Sequence, residues 1–134
     1  MAEPDVASAL KSAPKNAPAI LILGAGSLAT AQRIKAACPD ATIYGLAGRV
    51  VGADIVYENF GSTLRELYDL DTPLIALCAA GIVIRALAPL LQNKRAEPPV
   101  LAVAEDGSAV VPLLGGLRGV NVLARRIAAA LEVA

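Results

Sequence analysis

The sequence predicts an α/β layered sandwich in which helices cover both faces of a mostly parallel, mixed sheet. Short apolar runs of strand length alternate with longer segments of helical periodicity, as they do in parallel α/β sheets. Glycine-containing turns join two of these runs, at 19–23 and 73–79, to the helices that follow. The pair Asp106-Gly107 is typical of a two-residue hairpin and therefore predicts one antiparallel strand.

The first half of the chain contains the predicted start of the sheet. The apolar run at 19–23 is a buried strand, and the helix after it covers 27–37, with Ser27 as its predicted N-cap. Cys38-Pro39-Asp40 ends this helix. The following elements are a strand at 41–44, an extended segment at 55–57 within an irregular stretch, and a helix that starts at 61–63.

The second half completes the sheet. The run at 73–79 is a buried strand, and Pro89 should kink or end the helix predicted at 82–91, because proline lacks an amide hydrogen. Residues 92–99 form a polar loop. The last elements are a strand at 100–103, its antiparallel partner at 109–113, and a helix at 118–131.

Length and composition limit the possible classes of protein. The 134 residues suit one domain, predicted at 18–134, preceded by a flexible leader at 1–17 that is rich in Ala, Pro, Lys and Ser. The 12 basic and 12 acidic residues balance, so nucleic acid is not an expected partner. No apolar run is long enough to span a bilayer. The distant Cys38 and Cys78 are predicted to be buried, reduced thiols of a cytoplasmic protein.

Three segments are candidates for ligand binding. Gly24-Ala25-Gly26-Ser27-Leu28-Ala29 has the form G-x-G-x-x-A between a strand and a helix, which is the context of a dinucleotide-binding fingerprint. The end of the second strand, Tyr44-Gly45-Leu46, lacks the carboxylate that this fingerprint expects. Small residues at a tight turn between strand and helix are also required by packing alone, and this alternative remains open.

The second candidate is a set of basic residues that would suit an anionic ligand. Arg85 and Arg118 both follow predicted strands, so they could face one crevice, with Lys94 and Arg95 on a loop nearby. The alternative is ordinary solvated surface charge. The third candidate is the glycine-rich segment 115–121, in which Asn121 offers a donor and an acceptor, or caps the helix locally.

These motifs, in this order, resemble the N-terminal domain of the cobalamin biosynthesis protein CbiG family. The segments that carry the resemblance are Gly81-Ile82-Val83-Ile84-Arg85, Ala88-Pro89-Leu90-Leu91, Lys94-Arg95, Pro98-Pro99-Val100 and Leu113-Leu114-Gly115-Gly116. The family hydrolyses a lactone ring on a cobalt-precorrin and releases acetaldehyde. Related domains are fused to precorrin-3B methyltransferase, and the short form 115–121 is closer to those fused versions.

The resemblance implies a corrinoid precursor as ligand and a neighbouring domain of a cobalamin pathway enzyme as partner. Because corrinoid precursors carry many carboxylates, it implies ligand contacts from Ala80, Gly81, Arg85, Lys94, Arg95, Gly115, Gly116, Arg118 and Asn121. It implies no metal and no cofactor held by this domain. S-adenosylmethionine would belong to a fused methyltransferase module.

The departures from the family pattern concern its catalytic groups. Leu117 stands where the family has histidine, Val122 where it has an acidic residue, and Val120 where it has a small residue. The chain contains no histidine at all, and no catalytic residue can be named. We therefore expect a non-catalytic corrinoid-binding domain of a cobalamin biosynthesis protein, forming part of a precorrin-3B methyltransferase polypeptide; a stand-alone copy is the other possible organisation. The alternatives are an active lactone hydrolase and, second, a nucleotide-binding domain that uses Gly24 and Gly26.

Overall fold

Strands and helices alternate along residues 17–91 and 96–133, which are the part of the chain that the structure, a computed structural model, describes. The strands are β1 (Ala19–Ile22), β2 (Thr42–Leu46), β3 (Ile55–Tyr57), β4 (Leu74–Leu77), β5 (Val100–Val103) and β6 (Val110–Leu114). The helices are α1 (Leu28–Ala37), α2 (Phe60–Asp69), α3 (Ala80–Leu87) and α4 (Val120–Ala130). Short 3-10 turns lie at Ala25–Ser27, Ala88–Leu90 and Gly116–Arg118.

The six strands form one mixed sheet in the order β3-β2-β1-β4-β5-β6. Strands β1 to β5 are parallel, and β6 pairs antiparallel with β5 after the turn at Asp106-Gly107. The predicted mixed sheet and hairpin are therefore confirmed. We call the side where β1 to β5 end the carboxyl end of the sheet, and the opposite side the amino end. The antiparallel β6 finishes at the amino end.

Helices cover both faces of the sheet, as the sequence predicts. On one face, α1 and α4 pack against alternate strand residues around Ile34 and Ile127; on the other, α2 and α3 pack around Leu67 and Val83. Strands β1, β4 and β5 are buried along their whole length. This double burial explains why they are unbroken apolar runs in the sequence.

Differences from the predicted elements occur at their ends. Helix α3 begins two residues before Ile82 and stops at Leu87, after which Pro89 lies in a single 3-10 turn, so its predicted effect on the helix is confirmed. The predicted N-cap role of Ser27 is wrong, because its backbone is helical (φ −91°, ψ −8°) and its side chain makes no capping hydrogen bond. Asn59 does cap α2, since its Oδ1 accepts a hydrogen bond from the Ser62 amide at 2.9 Å.

Two further sequence predictions concern the chain termini and the thiols. The predicted leader, apart from its last residue, lies outside the described residues, as do Lys94 and Arg95 of the polar loop. Cys38 and Cys78 are buried and unpaired, which confirms that part of their prediction. Within the described residues, none of the helices combines the length and the apolar character that crossing a membrane requires.

Candidate functional site

The predicted ligand-binding residues do not converge on one crevice. Ala80 and Gly81 begin α3 at the carboxyl end of the sheet, directly after β4, whereas Gly115, Gly116 and Arg118 follow β6 at the amino end. The predicted single crevice, formed by 80–85 together with 115–121, is therefore wrong. The physical reason is the direction of β6: because this strand is antiparallel, its last residue lies where its neighbours begin. Ligand contact by each residue stays a prediction.

The remaining predicted residues that the structure describes lie on helix surfaces. Arg85 is exposed in the last turn of α3, and Asn121 is exposed in the first turn of α4. Neither belongs to the cavity described next. The structure thus brings Arg118 and the glycine-rich turn together and leaves Arg85 apart from them.

A cavity of about 580 Å³ lies at the amino end of the sheet. We call it the amino-end cavity, and its lining residues come from the strand entries, from the segment after α1 and from the start of α4. They are Ala17, Pro18, Cys38, Pro39, Asp40, Pro73, Pro99, Arg118, Gly119, Leu123 and Arg126. This volume falls within the range of small-molecule sites, roughly 300–1,000 Å³.

Three of the lining prolines stand directly before parallel strands. Pro18, Pro73 and Pro99 precede β1, β4 and β5, and their carbonyl oxygens accept sheet hydrogen bonds of 3.1, 2.9 and 2.8 Å from the first residues of the neighbouring strands. Because proline has no amide hydrogen, these residues present no main-chain donor to the cavity. Among the described residues that line the cavity, the cationic donors are the side chains of Arg118 and Arg126, and the carboxylate is that of Asp40.

Arg118 is held in place by an ion pair with Asp71. Its two terminal nitrogens donate to the two carboxylate oxygens at 3.2 and 2.7 Å. This hydrogen bonding, together with the charge of Asp71, raises the pKa of Arg118 above its usual value. A guanidinium has five N–H donors, and two are used in this pair, so three remain for a ligand. Asp71 therefore orients Arg118 without exhausting its donors.

The turn between β6 and α4 fixes the position of Arg118. Gly115 has a φ of 89°, and a Cβ at this position would lie 2.6 Å from the carbonyl oxygen of Pro98 and 2.6 Å from Cα of Pro99. Gly119 also has a φ of 89°. Only glycine adopts this left-handed conformation without strain. Gly115 and Gly119 of the glycine-rich segment thus have a structural role, and Gly115 allows the turn to pack against the strand entry at Pro99.

Two functional candidates were missed by the sequence reasoning. Arg126 belongs to the helix predicted at 118–131 but is not among the predicted ligand-binding residues, and Asp40 is predicted only as part of a helix stop. The structure places both in the lining of the amino-end cavity. No local signal distinguishes Arg126 from its neighbour Arg125, because both are exposed on the same helix and only the sheet order decides which one faces the cavity.

A topological switch point lies at the carboxyl end, where the turns 24–27 and 79–81 follow the neighbouring strands β1 and β4. The chain winds outward in opposite directions from these two strands, since β1 leads to β2 and β4 leads to β5. Open α/β sheets usually bind ligands at such a point. Among the described residues, no group of three or more His, Cys, Asp and Glu is placed to hold a metal ion.

Comparison with known proteins identifies the family. Residues 62–134 match the family model described as Cobalamin synthesis G N-terminal. The chain is 34% identical over 111 residues to a cobalt-precorrin-5A hydrolase of Salmonella typhimurium, an alignment that covers 82% of this chain and 32% of that protein. It is 36% identical over 70 residues to a cobalt-precorrin-5A hydrolase of Priestia megaterium, which covers 52% of this chain and 19% of that protein. The chain thus spans about a third of the length of the Salmonella relative and about a fifth of the length of the Priestia relative.

A solved structure shows the same fold. It is a crystal structure from Sulfolobus solfataricus of a protein provisionally identified as a cobalamin biosynthesis protein G homolog. The TM-score is 0.65 over 88% of this chain and 35% of that chain, at 17% sequence identity. At this identity the likeness supports the fold and nothing finer.

Proposed function

Because the chain belongs to the cobalamin synthesis G N-terminal family, we propose that it binds a corrin-ring intermediate and that the amino-end cavity receives carboxylate side chains of that intermediate. The observation that carries this proposal is the presence of two guanidinium groups, Arg118 and Arg126, in one cavity. Both lie within the residues that match the family. In this proposal the cavity holds carboxylate side chains of the intermediate, and the corrin ring extends beyond the cavity.

Chemical complementarity supports this assignment. Corrin intermediates carry several carboxylates, and a planar guanidinium can donate two parallel hydrogen bonds to one carboxylate. Arg118 keeps three donors after its pairing with Asp71, and the lining of the cavity is otherwise mostly apolar or proline. Asp40 would repel a carboxylate placed beside it, so the ligand side chains should bind on the Arg118 and Arg126 side.

A charge reversal at one of two adjacent arginines tests this proposal. We would titrate the protein with an intermediate that has an intact lactone, and follow the visible spectrum of the corrin. Arg126→Glu should weaken binding by about 10-fold to 100-fold, the value of a lost charge-assisted hydrogen bond with added repulsion. Arg125→Glu makes the same change of net charge on the same helix outside the cavity, and should bind like the unsubstituted protein. Equal affinities for the two variants would refute the proposal.

A second candidate function is lactone hydrolysis, which the names of the two curated relatives favour. In this reaction water adds to the lactone carbonyl carbon, the acyl carbon–oxygen bond breaks, and a carboxylate and a hydroxyl group result. Release of acetaldehyde then requires that the hydroxyl group loses its proton and that the carbon–carbon bond joining its carbon to the ring breaks, with the electron pair of that bond staying on the macrocycle. A base must accept the proton of the water. Asp40 is the carboxylate that lines the cavity, so it is the residue on which this function would depend.

Acetaldehyde release in the same titration separates the two functions. Binding without acetaldehyde supports a non-catalytic domain. Acetaldehyde release that Asp40→Asn abolishes, while Glu58→Gln at the carboxyl end leaves it unchanged, supports the hydrolase. Release that survives Asp40→Asn would refute the role given to Asp40.

The wider organisation of the protein is a further part of the proposal. A link to precorrin-3B methyltransferase, with S-adenosylmethionine held by that neighbouring module and none bound here, remains a prediction. Determining the length of the polypeptide in its natural host checks it. A protein of 134 residues would contradict a fusion.

A further inference from the structure

We propose that Asp71 is a positioning residue of the amino-end cavity, which holds the guanidinium of Arg118 so that one free edge of that group receives a ligand carboxylate. This inference rests on the proposed function, because it takes a corrin carboxylate as the ligand. It adds a residue outside the lining of the cavity, since Asp71 is not among the lining residues. It also specifies how Arg118 contacts the ligand.

Asp71 follows helix α2 in a backbone conformation that favours glycine. Its φ is 64°, and among the described residues other than glycine only Glu132 also has a positive φ. The Asp71 amide donates to the carbonyl oxygen of Tyr68 at 2.9 Å. The Thr72 amide donates to the carbonyl oxygen of Leu67 at 3.1 Å. These two bonds define a Schellman motif, in which glycine is the usual residue at the left-handed position. The chain therefore has a carboxylate where glycine would fit without strain.

The stability of the fold does not explain an aspartate at this position. The side chains of Arg118 and Asp71 are 33% and 42% exposed, and exposed ion pairs contribute little to stability. The left-handed backbone, in contrast, is unfavourable for any residue with a Cβ. Backbone strain that the local contacts do not offset is typical of functional positions. The carboxylate of Asp71 therefore serves to hold Arg118 rather than to stabilise the protein.

The geometry of the ion pair decides which edge of the guanidinium is free. Both terminal nitrogens of Arg118 donate to Asp71, one to each carboxylate oxygen. This end-on arrangement leaves Nε–H and the second hydrogen of each terminal nitrogen. Nε–H and the terminal N–H beside it point in the same direction, so they can donate two parallel hydrogen bonds to one ligand carboxylate. Asp71 thus occupies one edge of the guanidinium and leaves a second edge that fits a carboxylate.

The end of helix α4 offers a matched control. Glu132 has a φ of 59°, and its amide and the next one donate to the carbonyl oxygens of Ala129 and Ala128 at 3.2 and 2.9 Å. It therefore occupies the same position of the same motif, at the far end of α4 from Arg118, and it does not line the cavity. Glu132→Gly makes the same change of charge and relieves the same kind of backbone strain as Asp71→Gly.

Arginine side-chain signals of the ¹⁵N-labelled protein test the positioning without a ligand. Two hydrogen bonds to Asp71 hinder rotation of the guanidinium, so the terminal N–H groups of Arg118 should give separate signals instead of one averaged signal. Arg118→Lys identifies these signals by their loss. Asp71→Gly should average them, whereas Glu132→Gly should leave them separate. An averaged signal in the unsubstituted protein would overturn the inference.

Titration with a corrin intermediate that has an intact lactone measures the effect on binding. Asp71→Gly should weaken binding by about threefold to tenfold, because the ligand must then immobilise the side chain of Arg118 itself. Asp71→Asn should bind more tightly than Asp71→Gly, since asparagine keeps one acceptor for Arg118 and tolerates a positive φ. Glu132→Gly should bind like the unsubstituted protein.

The aspartate also repels a ligand carboxylate, and the same titration weighs this effect against positioning. If Asp71→Gly bound as tightly as the unsubstituted protein or more tightly, repulsion would outweigh positioning and the inference would be overturned. In an Arg118→Ala background, Asp71→Gly should not weaken binding further, because Asp71 acts through Arg118. A further loss of affinity in that background would also overturn the inference.

Urea unfolding separates positioning from a structural role. The urea midpoint of Asp71→Gly should be unchanged or higher, as should that of Glu132→Gly, because relief of the left-handed strain opposes the loss of an exposed ion pair. A clear fall in the midpoint of Asp71→Gly alone would mean that the fold needs the pair, and it would overturn the inference.

Failure of this inference and failure of the proposed function give different results. If Arg126→Glu weakens binding and Asp71→Gly does not, the positioning role is overturned and the cavity remains the ligand site. If neither variant weakens binding, the proposed function is refuted and the positioning role fails with it. Weaker binding by both variants, with separate Arg118 signals that only Asp71→Gly averages, would support the inference.

Discussion

Replacing Gly115 by alanine should destabilise the protein by about 2–5 kcal/mol. The first contribution is conformational: the residue has a φ of 89°, and the left-handed region costs an L-residue roughly 1–2 kcal/mol. The second is steric, because the new Cβ would lie 2.6 Å from main-chain atoms of Pro98 and Pro99. Main chain cannot rotate away as a side chain can, and forced overpacking typically costs about 1–3 kcal/mol.

Urea unfolding followed by far-ultraviolet circular dichroism measures this loss. Gly116→Ala is the matched control, because the neighbouring glycine has no positive φ and its added Cβ would meet no atom within 4 Å. We expect that control to change the free energy of unfolding by no more than about 0.5 kcal/mol, or to stabilise slightly. If Gly115→Ala were as stable as Gly116→Ala, the reasoning about this turn would be refuted. The same result would refute the claim that this turn fixes the position of Arg118.

Three further predictions concern other parts of the sheet. Tyr57→Phe removes a buried 2.8 Å hydrogen bond to the end of β1 and should cost about 1–2 kcal/mol in urea unfolding; a change below 0.5 would contradict it. Burial raises the pKa of Asp54, but hydrogen bonds from the Ile43 amide of β2 and from Lys35 lower it overall. The ionised Asp54 therefore stabilises the folded protein above pH ~4, and this contribution is lost as the pH falls. Asp54→Asn should therefore cost about 0.5–1 kcal/mol at pH 7, discounted for exposure, and flatten the dependence of stability on pH below ~4. In a Cys38→Ala variant, iodoacetamide should alkylate Cys78 at pH 8 at least about 100-fold more slowly than free cysteine, since burial raises the pKa of this thiol to about 11; rapid labelling in mass spectra would contradict this.

Local sequence signals were sufficient for the elements and insufficient for their arrangement. The hairpin at Asp106-Gly107 was predictable because its turn chemistry is contained in two residues. Its consequence was not predicted: an antiparallel β6 carries Gly115 and Arg118 to the amino end, away from Ala80. The turn motif predicts the reversal of the strand, but the predicted crevice places the residues after β6 at the end where the parallel strands finish.

The contents of the site depended on long-range geometry. The amino-end cavity joins a proline before β1, an aspartate after α1 and an arginine in α4, which lie far apart in the chain. No periodicity relates such positions, so Asp40 and Arg126 could not be selected from the other charged residues. Resemblance to a family could have selected them only if its motif covered them, and the motif that was recognised runs from Gly81 to Ala124.

The amino end of the sheet offers an anion side-chain donors, and this follows from the sequence directly before the strands. Parallel strands β1, β4 and β5 are each preceded by a proline, so the amino end has lost three main-chain donors and binds through the guanidinium groups of Arg118 and Arg126. Arg118, which Asp71 orients, and Arg126 can each adapt to a carboxylate of a large ligand. We therefore expect substitutions at the amino end to change affinity for the whole corrin.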